Sequence, residues 1–302
     1  MEDHEWLAQR FEEQRPRLEA VAYRMLGSTG EAEDAVQDAW LRLTRADPDA
    51  VENLAAWLTT VVSRVCLNML RSRATRREES LEAAHVPDPV VTAEPGADPE
   101  QEAVLADSVG LAMLVVLETL APAERLAFVL HDMFAVPFDD IAGMLEKSPA
   151  AVRQLASRAR RRVQGSAQPD RDRGRQREVV DAFFAAARDG DFDSLVAVLH
   201  PDVVLRSDGG AGHPLSVTYH GARTVAGQAI TFGRLFPLAH PALINGAAGV
   251  VVASRDRVLS VMAFTVADGR IAAIDVLADP ERLSDLDLPP LADGTGSDGL
   301  GG

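Results

Sequence analysis

A chain of 302 residues, 47% of them hydrophobic, can pack solid cores and is long enough for two to three domains. Its net charge of −16 opposes non-specific attachment to nucleic acid by the molecule as a whole, so phosphate contacts must be confined to local basic faces. The single cysteine, Cys66, excludes an internal disulfide and a cysteine-based metal cluster. With neither a signal-like segment nor an apolar run long enough to span a bilayer, the expected setting is cytoplasmic.

Residues 6–77 read as helices. Phe11, Leu18, Val21, Ala22 and Met25 recur at helical spacing until Gly27-Ser28-Thr29-Gly30 breaks the pattern. Glu31–Thr44 is a second amphipathic helix with Asp34, Gln37, Asp38 and Leu41 on one face. A loop at Asp47-Pro48-Asp49 leads to a third helix, Leu54–Leu70. That helix carries Cys66 in an apolar pattern, as expected of a buried inert thiol, and runs into Arg71–Arg77, four arginines with no acid. Residues 78–100 form a linker with Pro87, Pro89, Pro95 and Pro99 and no helical or strand period.

Residues 101–164 are helical again, with a junction at Leu120–Glu124 and Pro122 at a first helical turn. Within them, Phe138–Arg162 has the layout of a helix-turn-helix. Ser148 suits an N-cap and Pro149 a first turn, while Ile141, Leu145, Val152 and Leu155 form the expected seam. Arg153, Ser157 and Arg160/Arg161 then fall on one exposed side at i, i+4 and i+7/i+8 spacing. From Lys147 to Arg177 ten basic residues stand against two acidic ones, a basic island in an acidic chain.

Past a second polar linker, Gln164–Gly174, the texture changes. Helical patterns at Glu178–Arg188 and Asp193–Leu199 precede strand-like runs at Val203–Arg206, Val217–His220, Gly249–Ser254, Arg257–Ala267 and Arg270–Leu277. The last two flank an Asp268-Gly269 hairpin turn. Residues 175–283 are thus an α+β domain, and 284–302 a Gly/Asp/Pro-rich tail expected to be disordered.

Two segments together carry a family resemblance. EDAVQDAWLRL with AAWLTTVVSRVCLNMLRSRATRR, followed after the linker by LAPAERLAFVLHDMFAVPFDDIAGMLEKSPAAVRQLASRARRRV, resembles regions 2 and 4 of sigma-70 family RNA polymerase sigma factors of the extracytoplasmic-function (ECF) type. The resemblance implies a multidomain fold: an all-α region 2 bundle, an all-α region 4 helix-turn-helix, and the α+β domain behind them. It also implies core RNA polymerase as partner, through the β′ clamp and the β flap, and promoter DNA as ligand.

Site roles follow from the resemblance residue by residue. Asp34, Gln37, Asp38 and Leu41 fall where region 2 docks on polymerase. Asn53, Arg64, Asn68, Arg71, Arg73, Arg76 and Arg77 fall on the −10 side, with Trp57 as a packing residue and Asp47–Asn53 as the loop that holds a flipped base. Arg153, Gln154, Ser157, Arg158 and Arg161 fall on the −35 side, with Arg160 and Arg162 as further backbone anchors.

Residues 176–283 resemble a SnoaL-like domain of the NTF2-like superfamily, an α+β cone with a pocket, as in the SigJ type of sigma factor. The group's glycine motif appears as Asp208-Gly209-Gly210-Ala211-Gly212. Its closing motif appears as Ala278-Asp279-Pro280-Glu281-Arg282-Leu283, with the usual Asn and Lys replaced. Asp208, Gly209, Gly210, Asp279, Pro280 and Leu283 are the expected regulatory positions.

Asp208, His213 and His220 are acid/base types, but turn formation and structural roles suit them better. No catalytic residue, metal or cofactor is expected; a small-molecule ligand in the C-terminal domain is compatible with the sequence. Two other functions fit parts of the chain: a DNA-binding regulator that never joins polymerase, and an enzyme carrying a DNA-binding arm.

Overall fold

The computed structural model describes residues 2–45, 53–78, 85–93, 110–165, 169–233, 238–254 and 257–290. The chain divides into two compact units, one of Met1–Glu82 with Leu111–Gln168 and the other of Ala83–Gly110 with Pro169–Gly302. The described part of the linker between the two helical segments, residues 85–93, therefore belongs to the C-terminal unit.

The first unit is helical. Helix α1 (Glu2–Leu26) buries Leu7, Phe11, Leu18, Val21, Ala22 and Met25 along one stripe. Helix α2 (Thr29–Leu43) starts two residues before the expected Glu31, because the Ser28 hydroxyl caps it by accepting the Glu31 N–H. Its buried face is Ala32, Ala35, Val36, Ala39 and Leu43. Helix α3 (Leu54–Glu78) follows and buries Leu58, Val62, Val65, Cys66 and Leu70 against the other two.

Helices α4 (Leu111–Glu118) and α5 (Pro122–Phe128, with Pro122 in its first turn) lead into a π-helical turn at Val129–Met133. Then come α6 (Phe138–Leu145) and α7 (Pro149–Gln164). Glu146 adopts a left-handed conformation, φ 54°, and stops α6. The Ser148 hydroxyl accepts the Ala151 N–H at 3.2 Å and starts α7. The seam differs from expectation in one residue. Ile141 and Leu145 meet Val152, Ala156 and Ala159, all buried, while Leu155 is only half-buried. The small alanines at i+4 and i+7 from Val152 let the two helices approach, and Leu155 lies beside that stripe.

The second unit is α+β, the cone expected of a SnoaL-like domain. Helices α8 (Arg173–Asp189), α9 (Phe192–Val198) and α10 (Ala222–Phe232) pack on one face of a seven-stranded sheet. The strands are β1 (Val91–Thr92), β2 (Leu199–Asp208), β3 (Val217–His220), β4 (Ala239–Ile244), β5 (Ala247–Ala253), β6 (Val258–Ala267) and β7 (Arg270–Leu277), ordered β1-β4-β5-β6-β7-β2-β3. Every pairing is antiparallel except β2 with β7. Register shifts in the β2/β7, β5/β6 and β6/β7 pairs bend the sheet over its helices. The core between the layers holds Val180, Phe183, Leu195, Val225, Phe264 and Ile274.

Two turns fix the sheet. Asp268 and Gly269 both take positive φ, 51° and 72°, and close the β6–β7 hairpin. The Asp170 carboxylate accepts both of their N–H groups, at 3.1 and 3.0 Å, so the polar second linker ends in a specific anchor. Asn245 and Gly246 close β4–β5 in the same way, at φ 48° and 78°.

The elements not read from the sequence include α10, β4 and β1. Residues Val91 and Thr92 form β1 within the stretch read as a linker without a strand, paired with Ile244 and Leu243. The edge of β4 offers unpaired backbone groups, and any extended segment held beside it will pair. A short helix, α11 (Pro280–Ser284), packs on β6 and ends the described architecture. The expected tail lies outside the described residues from 291 on. Among the described residues no helix is long and apolar enough to cross a membrane.

Candidate nucleic-acid interface and linker clasp

Helix α2 presents Asp34, Gln37 and Leu41 to solvent, with Asp38 beside them. Leu41 is 45% exposed. Asp38 accepts from Arg42 at 2.8 Å one helical turn later. Acids, an amide and an uncovered leucine on one side suit a basic protein surface with an apolar centre better than they suit DNA.

Helix α3 carries the residues expected to meet the −10 element. Asn53 caps it, accepting the Ala56 N–H at 3.1 Å. Arg64, Asn68 and Arg71 are exposed at i, i+4 and i+7 spacing, one stripe. Arg73 lies elsewhere: its guanidinium pairs with Glu31 and donates to the Leu26 carbonyl at 2.8 Å, tying α3 to the start of α2. The side chains of Arg76 and Arg77, and the expected base-holding loop Asp47–Asn53 up to residue 52, lie outside the described residues. Trp57, expected in the core, is half-buried instead and lines a cleft of about 610 Å³ with Arg17, Asn53, Arg64, Phe134 and Asp140.

The same cleft shows what meets the face expected to read the −10 element. Arg64 donates to the Gly143 carbonyl of α6 at 3.1 Å. Arg17 reaches the Phe134 carbonyl at 3.3 Å, and buried Arg125 reaches the Met25 carbonyl at 2.8 Å. The two helical segments of this unit thus bond to each other through arginines, two of which come from the first segment.

On α7, Arg153, Gln154, Ser157, Arg158 and Arg161 are exposed. The Arg153 guanidinium also sits over the Phe138 ring, 5.6 Å from its centre. Arg160 and Arg162, read as backbone anchors, are engaged inside the unit. Arg160 meets Asp132 at 2.6 Å and Arg162 meets buried Glu124 at 3.1 Å. Those acids hold the helix in place, and both arginines have a packing role that a basic run did not reveal.

The C-terminal unit brings the expected regulatory positions together around the linker. Asp208, 4% exposed, accepts from the Val86 N–H at 3.0 Å, from Arg282 at 2.7 Å and from the Gly210 N–H at 3.1 Å, with His85 at 3.3 Å. Burial alone raises its pKa. The hydrogen bonds from His85, Val86 and Gly210 and the charge of Arg282 outweigh that and hold it at about 2. Arg282 also donates to Asp88 at 2.8 Å and to the Val86 carbonyl at 2.5 Å.

Asp279 caps α11 through the Glu281 N–H, Pro280 opens that helix, and Leu283 is buried beneath it. Gly210, at φ +96°, lies where a Cβ would come within 2.8 Å of the Asp279 carboxylate, so the glycine motif and the closing motif touch.

A second anchor grips the other end of the segment. Asn245 donates its N–H to the Val90 carbonyl at 2.8 Å and accepts the Val90 N–H on its side-chain oxygen at 3.0 Å. Residues His85–Thr92 are therefore held by the half-buried cation of Arg282, the buried acid Asp208, an asparagine and a strand pairing. Arg282, Asp88 and Asn245 were missed as functional positions. Asn245-Gly246 is a recognisable hairpin turn, and a cation in the closing motif is the partner that a buried Asp208 requires.

A Sigma-70 region 2 model matches residues 10–76 and a Sigma-70 region 4 model matches residues 111–163. Those two regions, in that order, define a sigma-70 type transcription factor. The chain is 41% identical over 291 residues to the ECF RNA polymerase sigma factor SigJ of Mycobacterium tuberculosis, covering 91% of this chain and 92% of that protein. It is 37% identical to the probable ECF RNA polymerase sigma factor SigI of the same species, covering 95% and 98%. The crystal structure of M. tuberculosis SigJ superposes with a TM-score of 0.74 at 36% identity, covering 93% of this chain and all of that one. The chain belongs to the ECF family of RNA polymerase sigma factors.

Proposed function

We propose that this sigma factor docks on core polymerase through the α2 face, reads the −10 element with α3 and the −35 element with α7, and is controlled in cis by the C-terminal unit gripping the linker. The observation that carries the control is the half-buried Arg282 fork on Asp208, Asp88 and Val86.

Two geometric arguments support it. Elements named for positions 25 base pairs apart lie roughly 85 Å apart at 3.4 Å per base pair. Region 2 and region 4 segments joined by the 3.1 Å Arg64–Gly143 bond cannot reach both, so this unit must open to read a promoter. The 32 residues 79–110 that join them span at most about 110 Å when fully extended. Holding residues 85–93 on a folded surface subtracts from that reach. Covalent attachment gives the gripping domain a high effective concentration, so a modest contact suffices.

The partners are core polymerase, through the β′ clamp and the β flap, and promoter DNA, in the cytoplasm. Run-off transcription with core polymerase tests the reading, comparing the full chain with one ending at residue 168. Altered promoter output supports control in cis. Core binding and transcription unchanged by the truncation would overturn it.

A further inference from the structure

The cone of the C-terminal unit encloses a cavity of about 300 Å³, room for roughly ten water-sized groups. Its walls are apolar, built from Phe183, Leu205, Leu259 and Met262 among others. Leu215 and Phe232, 36% and 43% exposed, are two large apolar side chains left uncovered, and both line this same cavity. A bare apolar lining costs free energy that a ligand would recover.

The polar part of the lining is as informative. Ser207, Tyr219, Gln228 and Ser260 contribute to it, and among the described residues none of the four makes a side-chain hydrogen bond. Among the described residues no Asp, Glu, His, Lys or Arg lines the cavity. The acid/base types of this unit lie elsewhere. Asp208 is committed to the linker, His213 accepts the Leu215 N–H at 3.2 Å, and His220 is exposed at the end of β3. A charged ligand would have to shed its water with no charged lining group described to pair with, and of the side chains that commonly transfer protons only Tyr219 is present among the described lining residues.

The cavity is also continuous with the linker clasp. Ser207 and Asp208 are successive on β2, so one side chain lines the cavity while the other grips Val86. The loop after them returns to the cavity mouth. The Ser216 hydroxyl accepts the Gly209 N–H at 3.1 Å and donates to the Gly210 carbonyl at 2.6 Å. A Cβ on Gly209 would approach Leu215 Cβ to 3.0 Å. A loop packed this tightly on itself cannot shift at Pro214-Leu215 without shifting at Gly209-Gly210.

We propose that the cone is a receptor for an uncharged, mainly apolar small molecule with hydrogen-bonding groups, held without conversion, and that occupancy is transmitted to the linker through residues 207–216. The second half rests on the proposed role of the clasp; the first does not.

The test uses the full chain and two probes of one size, neutral 2-naphthol and anionic 2-naphthoate. Saturable one-to-one binding of 2-naphthol, at least ten-fold tighter than of 2-naphthoate, is expected. Gln228→Leu should weaken it several-fold, and Ser260→Leu, which fills the cavity, should abolish it. If Ser260→Leu lacks a cooperative melt, Gln228→Leu alone decides. Equal affinity for the two probes, no saturable binding, or binding unchanged by the decisive variant would overturn the site. Saturating 2-naphthol should change amide exchange at Val86 and Val90 at least three-fold; exchange unchanged at full occupancy overturns the coupling. Exchange is read without polymerase, so its failure is distinct from a failure of the promoter-factor reading, which transcription decides.

Discussion

Arg282 and Asp208 meet at 2.7 Å, and the same guanidinium serves Asp88 and the Val86 carbonyl. One planar cation thus satisfies two buried acids and a backbone group on the strand-like linker. Removing it by Arg282→Ala takes the shared cation from both carboxylates, a change worth about 3 kcal/mol. Exchange of the Val86 amide should then accelerate by roughly a hundredfold, at about 1.4 kcal/mol per decade. Arg282→Lys keeps the charge but not the fork, and should fall between. All three tryptophans, Trp6, Trp40 and Trp57, belong to the first unit, so their unfolding midpoint should not move in either variant. The acid limb is also defined. Asp208 is held at about 2, below its ordinary 3.8, so its contribution is complete above about pH 4 and lost as pH falls through 2.

The α2 face offers a separable test of polymerase binding. Asp34, Gln37 and Leu41 are exposed, and Asp38 makes only an i,i+4 pair with Arg42, worth about 0.4 kcal/mol. The double variant Asp34→Arg, Asp38→Arg should therefore melt within about 1 kcal/mol of the parent. Co-purification with core polymerase should be lost, while binding of a −35 duplex by α7 persists. A stand-alone DNA-binding regulator would show no loss in the first measurement.

Four of the arginines on α7 divide into two pairs. Arg153 and Arg161 are exposed, whereas Arg160 and Arg162 close ion pairs with Asp132 and Glu124. Arg153→Ala should cost about 1–3 kcal/mol of discrimination at one base pair of the −35 element. Arg161→Ala should weaken binding evenly across sequences and lower the salt slope by about one. Arg162→Ala leaves Glu124, 7% exposed, without that partner and should lower the melting temperature of the helical unit. Competition binding at two salt concentrations, with thermal melts, distinguishes the three.

Much of this was legible in the chain. Ser148-Pro149 gave the start of α7, Asp189-Gly190 the end of α8, and Asp268-Gly269 a hairpin, because each is decided by local backbone chemistry. The misses share a different cause. Residues 78–100 have no period of their own; Val91–Thr92 become a strand only because β4 presents an open edge, contributed from about 150 residues later. Arg160 and Arg162 look like any basic run until Asp132 and Glu124 are placed beside them. Trp57 carried an apolar signal, yet where it sits depends on a second helical segment about 80 residues away. Partnership across the chain, rather than pattern along it, settled those positions.

Cys66 provides a probe of the helical unit that nothing else in the chain duplicates. Burial pushes its thiol from 9.0 up to about 12, with a backbone hydrogen bond only partly opposing. At pH 8 the native thiol is protonated and inaccessible, so a disulfide reagent should react only as fast as α3 opens. In a urea series the labelling rate should rise with the same midpoint as tryptophan emission; labelling well before that midpoint would mean that α3 opens locally. A group whose native pKa is raised stabilises fully below its unfolded value and loses that contribution as pH climbs through the native one. The helical unit should thus weaken from about pH 9 towards 12. Cys66→Ala removes the titration and leaves a small void. Cys66→Ser keeps the shape but buries a hydroxyl in an apolar helix interface, and should cost about 1–3 kcal/mol, more than the alanine. Chemical denaturation of the parent and the two variants at pH 8 and pH 10 separates the effects: both variants lack the titrating thiol and should lose less stability between the two pH values than the parent.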